Sequence, residues 1–243
     1  MASEPRGRVR VEQGAKRVRA YLGGEVVADT IRPLLVWEVP YYPTYYLPAA
    51  DVRAELVPTG DAHHSPSRGD AAVLTVRTGT SEAPGAAHRY DDSPVDELRG
   101  HVRFDWDAMD AWFEEDEQVF THVRSPHVRI DVLPTSREVV VTLDGVELAR
   151  STHAHALFET GLPPRWYVPR VDVRMDLLVP SDTVTHCPYK GRAEHLSARV
   201  DGVATPDVAW SYPTPLPESE RIAGLVAFYD QRVAVTVDGE RQG

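Results

Sequence analysis

Pro164-Arg165-Trp166-Tyr167-Val168-Pro169 aligns with the earlier stretch Pro43-Thr44-Tyr45-Tyr46-Leu47-Pro48, and this echo decides how the chain is read. Working outward, Trp37-Glu38 falls on Phe158-Glu159, and Asp51-Val52-Arg53 falls on Asp172-Val173-Arg174. Upstream, Val9-Arg10-Val11-Glu12 is matched by Val128-Arg129-Ile130-Asp131, and Leu22-Gly23-Gly24-Glu25 by Leu143-Asp144-Gly145-Val146. Downstream, His64-Ser65-Pro66-Ser67-Arg68-Gly69 stands where the second copy has His186-Cys187-Pro188-Tyr189-Lys190-Gly191. Trp106-Asp107 corresponds to Tyr229-Asp230, and Glu117 to Glu240. So many matches in one order describe a unit written twice. The join lies around Val119 to His127, giving expected domains at 1–122 and 123–243.

Within each copy the apolar periodicity is that of strands. Arg137 to Leu143, then Asp144-Gly145, then Val146 to Ala149 reads as a hairpin, because Asp-Gly supplies the positive backbone angles of a tight turn. Gly23-Gly24 does the same in the first copy. Ala156-Leu157-Phe158-Glu159 reads as a short strand. Val173 to Leu178 reads as another, with Val173, Met175 and Leu177 on one face. His195 to Val200 and Val233 to Val237 follow, each closed by Asp-Gly. Pro217 to Gly224 is the one clear helical signal, about two turns. Pro58 to Asp92 reads as long surface loops around a strand at Ala72 to Val76. Ala108 to Glu117 has helix-like composition, but its alignment with Gln231 to Glu240 makes it a strand. The expected fold is mainly β: two tandem compact β-sheet domains, each with at most a short helix, packed as one molecule with approximate internal twofold symmetry.

Composition narrows the function classes. The chain has 243 residues, and its formal net charge of -11 works against phosphate backbones and anionic membranes. The arginines are scattered among acids rather than gathered in a stripe, so neither nucleic acid nor membrane is an expected partner. A single cysteine cannot form an internal disulfide or a multi-thiolate zinc site, which suits a reducing cytoplasm. Ser3 to Arg10 is polar, with no signal-peptide core, and no apolar run approaches membrane-spanning length. The expected location is cytoplasmic.

The densest concentration of reactive groups is Thr185-His186-Cys187-Pro188-Tyr189-Lys190-Gly191-Arg192. It holds the only cysteine and one of two lysines, the other being Lys16. Three segments flank this run. A Tyr-X-Pro-X-X-Asp-Val-Arg-Met-Asp-Leu segment precedes it, and Ala209-Trp210-Ser211-Tyr212-Pro213 and Ala223 to Tyr229 follow. Together they resemble the bacterial family known as domain of unknown function 427. The resemblance covers about Val128 to Glu240 almost continuously and the first copy more weakly, and it implies a small, mostly β domain. That family sometimes carries a nucleotidyltransferase label. The residues here do not support it, since no phosphate-cradling glycine loop is followed by metal-binding carboxylates. Asp172 with Asp176, and Asp105 with Asp107, are the nearest pairs, each read as a solvated or salt-bridged strand face.

Cys187 is a candidate nucleophile if His186, Lys190 or Arg192 lowers its pKa, or else a small buried apolar residue. His186 and Cys187 cooperate only if they lie in a turn, because neighbours on a strand face opposite ways. Lys190 and Arg192 either anchor an anionic group or pair with Glu159 or Glu194. Glu159 is an acid or base candidate if it enters an apolar setting, or else bonds to Arg165 or Arg192. Trp166, Tyr167, Trp210 and Tyr212 offer walls for a planar ligand, or are packing residues. A zinc site from His186, Cys187 and His195 fits no standard spacing, and no cofactor or metal is expected. Because the first copy has Arg68, Ser65 and Ser67 in place of Lys190, the thiol and the phenol, one working site is expected in the second copy.

Two function classes stay open. One is a small-molecule pocket protein acting on, or binding, an anionic or aromatic metabolite, with Cys187, Tyr189 and Glu159 as reacting groups and His186, Lys190 and Arg192 beside them. The other is a structural or interaction protein in which the motif is only a well-bonded turn.

Overall fold

The computed structural model describes residues 9–242, so most of the polar stretch Ser3 to Arg10 lies outside the described residues. The chain divides into two compact units, Met1–Ser125 and Pro126–Gly243. In the first unit the strands are β1 Arg10–Gln13, β2 Val18–Leu22, β3 Glu25–Thr30, β4 Leu34–Trp37, β5 Thr44–Pro48, β6 Glu55–Ser65, β7 Gly69–Arg77, β8 Glu82–Arg89, β9 His101–Phe104, β10 Ala111–Glu114 and β11 Glu117–Val119. The second unit has β12 Ile130–Pro134, β13 Val139–Leu143, β14 Val146–Ser151, β15 His155–Glu159, β16 Arg165–Val168, β17 Leu178–Cys187, β18 Gly191–Val200, β19 Val203–Ser211, β20 Val226–Phe228, β21 Ala234–Val237 and β22 Glu240–Gln242.

Each unit holds a seven-stranded and a four-stranded sheet, in the same order. The larger sheets run β1-β4-β5-β9-β8-β7-β6 and β12-β15-β16-β20-β19-β18-β17, and the smaller ones β11-β10-β2-β3 and β14-β13-β21-β22. The duplication read from sequence is therefore a duplicated mainly β fold. Hairpins set the register. Asp144 and Gly145 both take positive φ, +50° and +84°, as Gly23 and Gly24 do at +62° and +76°. This is the mirror-image turn whose twist matches that of the flanking strands.

The core of the second unit lies between its sheets. Val139 and Val141 of β13 and Val235 and Val237 of β21 meet Trp166, Val168, Leu196 and Phe228 from the inner face of the larger sheet. Each fully buried valine contributes about 2 kcal/mol through apolar surface removed from water. The outer face of the larger sheet is also apolar. It carries Leu157, Tyr167, Ala193, Trp210, Tyr212 and Ala227, with Ile222 of the 3₁₀ segment Pro217–Ile222 packed against them. That second apolar face gives the fold a place for a cavity.

Four local readings are corrected. Pro217–Ile222 is 3₁₀, interrupted at Ser219 with φ -119°, instead of two α-turns. Val173 makes only an isolated bridge to Ala149, and Met175–Leu177 winds as 3₁₀ before β17 begins. Three apolar residues at every second position are too short a signal to separate the two. Pro58 to Asp92 is mostly strand. β6 is an edge strand exposed along most of its length, so it shows no alternation, and its register shifts between Pro58 and Ala62, where Gly60 has φ +90°. Finally, His186 and Cys187 are the last residues of β17, opposite Arg192 and Gly191, and not part of the turn itself. Ala111–Glu114 is a strand, as its alignment implies.

Candidate functional site

The β17–β18 hairpin closes through Pro188, Tyr189 and Lys190, with Gly191 at φ +93°. Its turn is tied down by the Leu216 amide, which donates to the Lys190 carbonyl at 3.1 Å. Lys190 thereby reaches back across the outer face to Glu159 at the end of β15, and the two form an ion pair in which each side chain is only 11% exposed. Glu159 shares that face with Leu157 two residues earlier. Through the Leu157–Arg165 pairing it also shares the face with Arg165 and Tyr167 of β16. Alternation along strands thus gathers groups that are distant in sequence.

Beside the ion pair is a cavity of about 260 Å³. Its aromatic walls are Tyr167, Trp210, Tyr212 and Tyr229; Leu157 and Leu162 are apolar, and Arg165 and Thr185 complete the polar part. Trp210 is fixed on several sides. Its ring lies 4.3 Å from Tyr229 and edge-on to Tyr167, its Nε1 donates to the Tyr167 hydroxyl at 3.3 Å, and Arg165 sits 5.4 Å over its centroid. Arg165 is in turn held by Asp230 at 3.3 Å.

Burial pushes the Tyr167 and Tyr212 phenols well above the ordinary tyrosine range, and raises Tyr229 as well, so all three stay protonated and can donate. Tyr167 already accepts from Trp210. Tyr212 is buried, yet its hydroxyl makes no hydrogen bond to any described residue. His195 stacks on Tyr229 at 6.0 Å, and its Nε2 lies 3.0 Å from the Thr185 hydroxyl. Burial lowers the His195 pKa, outweighing the opposing pull of Asp207, so the ring favours its neutral form.

Of the residues singled out by sequence, Glu159, Lys190, Tyr167, Trp210 and Tyr212 meet at this cavity. Cys187 faces the same side but packs half-buried against the aromatic cluster and is not a wall of the cavity. Tyr189 stays in the turn, outside the cavity wall. His186 is exposed and lies on the strand face opposite Cys187, which removes both the His–Cys pairing and the zinc reading. Arg192 is exposed and pairs with Glu194. Trp166 points into the inter-sheet core, with Arg137 5.1 Å over its ring. Glu159 is paired with Lys190, not with Arg165 or Arg192. Arg165, Thr185, Tyr229, Leu157 and Leu162 were missed; strand parity from Glu159, Tyr167 and Cys187 would have found the first two and Leu157.

The carboxylate pair Asp172 and Asp176 is not on a strand: Asp172 accepts from the Ser151 hydroxyl at 2.6 Å, and Asp176 pairs with Arg174 at 2.6 Å. Among the described residues no group of three His, Cys, Asp or Glu side chains is placed to hold a metal ion. No helix among them is long and apolar enough to cross a membrane.

The first unit uses the same positions differently. Glu38 pairs with Arg68 and with Arg103 at 3.3 Å, and accepts from the Tyr46 hydroxyl at 2.7 Å, while Arg68 donates to that hydroxyl at 3.0 Å. Arg103 also pairs with Asp105, which lies 3.5 Å from His88 Nε2. By strand register Arg103 stands where the second unit has Ala227, and His88 where it has Trp210.

No curated protein matches the chain. The family described as a domain of unknown function (DUF427) matches residues 10–115 and again 131–239. With the same strand order in both units and the family's pattern met twice along most of its length, the chain belongs to the DUF427 family as a tandem member.

Proposed function

We propose that the second unit is a small-molecule binding domain whose ligand is a flat aromatic compound with a polar edge. The observation that carries this reading is the Tyr212 hydroxyl. It is a protonated donor on a mostly buried side chain, without a partner among the described residues, and it opens on a cavity of about 260 Å³ whose other polar groups include Lys190 and Glu159. A ligand acceptor placed there gains a hydrogen bond worth about 0.5–1.5 kcal/mol net. The surrounding rings supply stacking surface, and their mutual contacts fix them before a ligand arrives.

Charge narrows the ligand. Lys190 is balanced by Glu159 and Arg165 by Asp230, so the site is close to neutral. An amide-like edge with both donor and acceptor suits it better than a bare anion, because it can address the ion pair without breaking it. Binding alone is what this reading assigns. Cys187 and Tyr189 do not line the cavity, so no reaction is built on them.

The test titrates benzamide, benzoate and indole into the full chain, followed by tryptophan fluorescence and thermal midpoint. Benzamide is expected to bind saturably. Tyr212→Phe weakens it about tenfold, the worth of one hydrogen bond to a buried partner. Ala227→Arg, which installs the side chain the first unit carries, abolishes binding. If benzamide shows no saturable effect, or if neither variant changes its affinity, the reading fails.

A further inference from the structure

A second cavity opens elsewhere, in the first unit, where β10 of the smaller sheet meets β5 and β9 of the larger one. It measures about 230 Å³. Trp106, Trp112, Tyr45 and Tyr42 provide aromatic wall, and Glu38 and Asp107 carry acid groups. Trp106 and Trp112 are stacked in parallel, 4.8 Å apart with 4° between planes, so the pair is rigid. Tyr45 is fixed by the bond its hydroxyl donates to Glu114 at 2.8 Å.

The duplicate supplies the comparison that identifies a ligand. In the second unit the corresponding space, walled by Trp166, Phe228 and Val235, has shrunk to about 10 Å³, with Arg165 and Asp230 among its walls. Trp112 is replaced there by Val235, by register of β10 and β21 on their neighbours. Arg165 is replaced in the first unit by Thr44, by register of β5 and β16. The sequence alignment sets Asp107 against Asp230, but the register of β9 and β20 puts Asp230 at the place of Trp106, with Asp107 the next residue along. Asp230 has a guanidinium of its own chain at 3.3 Å, whereas Asp107 makes no ion pair or hydrogen bond with any described residue. Arg103 cannot substitute as its partner, since it is held by both Glu38 and Asp105.

We propose that this cavity of the first unit binds a small organic cation with a planar guanidinium or amidinium head, which takes the place Arg165 fills in the second unit. The head pairs with Asp107 while its flat faces lie against the indole and phenol rings, whose negative π-faces attract cations and repel anions. A planar delocalised cation is weakly hydrated and stacks, which suits an aromatic wall better than a compact ammonium.

The experiment titrates phenylguanidinium into the full chain and follows tryptophan fluorescence, with neutral phenylurea and anionic benzoate as comparators of similar shape. Saturable quenching by phenylguanidinium is expected, with phenylurea at least about tenfold weaker. Asp107→Asn, at an exposed position, is expected to weaken phenylguanidinium about tenfold and leave phenylurea unchanged. Thr44→Arg should remove the site by supplying the internal cation. Equal affinity for the charged and neutral probes, unchanged affinity in Asp107→Asn, or no saturable quenching overturns the proposal. Asp107→Asn decides the matter even if Thr44→Arg does not fold.

Discussion

The outer faces of the two larger sheets start from one plan and end in opposite states. In the second unit a single ion pair, Lys190 with Glu159, stands beside four aromatic rings, and a cavity is left open. In the first, the matching pair Arg68 with Glu38 is joined by Arg103, Asp105 and His88 in a connected network of charges. The decisive exchange is small. Ala227 leaves room above Tyr167, whereas Arg103 occupies the equivalent position above Tyr46. The open face differs from the filled one by one long side chain fewer and by rings in place of its polar neighbours, while the sheet beneath keeps its register. The reverse exchange holds at the inter-sheet cleft, where the first unit is open and the second closed.

The ion pairs give the sharpest way to break this comparison. Lys190→Met leaves Glu159 buried with no cation and is expected to destabilise the chain by about 3–5 kcal/mol, read from urea unfolding. Lys190→Met with Glu159→Met recovers most of that loss, since an apolar pair of similar volume replaces both charges. Arg68→Met should cost clearly less, because Glu38 keeps Arg103 and the Tyr46 hydroxyl. Equal costs in the two units would mean that the first unit's network adds nothing.

The hairpin glycines test the surroundings rather than the charges. Gly69 and Gly191 both hold left-handed backbone, φ +82° and +93°. A Cβ at Gly69 would meet Pro94 Cδ at 2.8 Å, while one at Gly191 has no neighbour nearer than 3.6 Å. Both alanine variants suffer the backbone strain of about 1–2 kcal/mol. Gly69→Ala is expected to lose at least about 1 kcal/mol more, through overpacking, in the same unfolding assay.

The smallest effect is the pH dependence that His195 adds in the second unit. The buried His195 has its pKa below the usual 6.5, so the unfolded chain binds its proton first. Stability therefore falls as pH drops through the ordinary histidine range, and the loss is complete below the depressed value. By register, the first unit has Val73 at this position. His195→Val should reduce the slope of thermal midpoint between about pH 8 and about pH 5, leaving the share that His155 and His101, also depressed by burial, contribute. An unchanged slope would show that His195 is not its source.

Much of this was legible without coordinates. The doubling, the Asp-Gly and Gly-Gly hairpins and the mainly β class follow from local rules, since turn chemistry and short-range alternation act over a few residues. Lys190 could be nominated as an unusual residue type in a dense motif, Glu159 as a carboxylate ending an apolar strand, and Tyr167, Trp210 and Tyr212 as aromatic walls. The tertiary structure alone decided which of them meet. Trp166 and Tyr167 are adjacent in sequence but point to opposite faces of one sheet, and so do His186 and Cys187. Which face becomes the inter-sheet core and which bears the cavity depends on the packing of β13 and β21 against only one side of the larger sheet, a choice the strand pattern cannot express when both faces are apolar. For the same reason Tyr229 entered the site unannounced. Its place was set by the bond its amide donates to the Val208 carbonyl beyond β20, and such pairing is a property of the folded sheet.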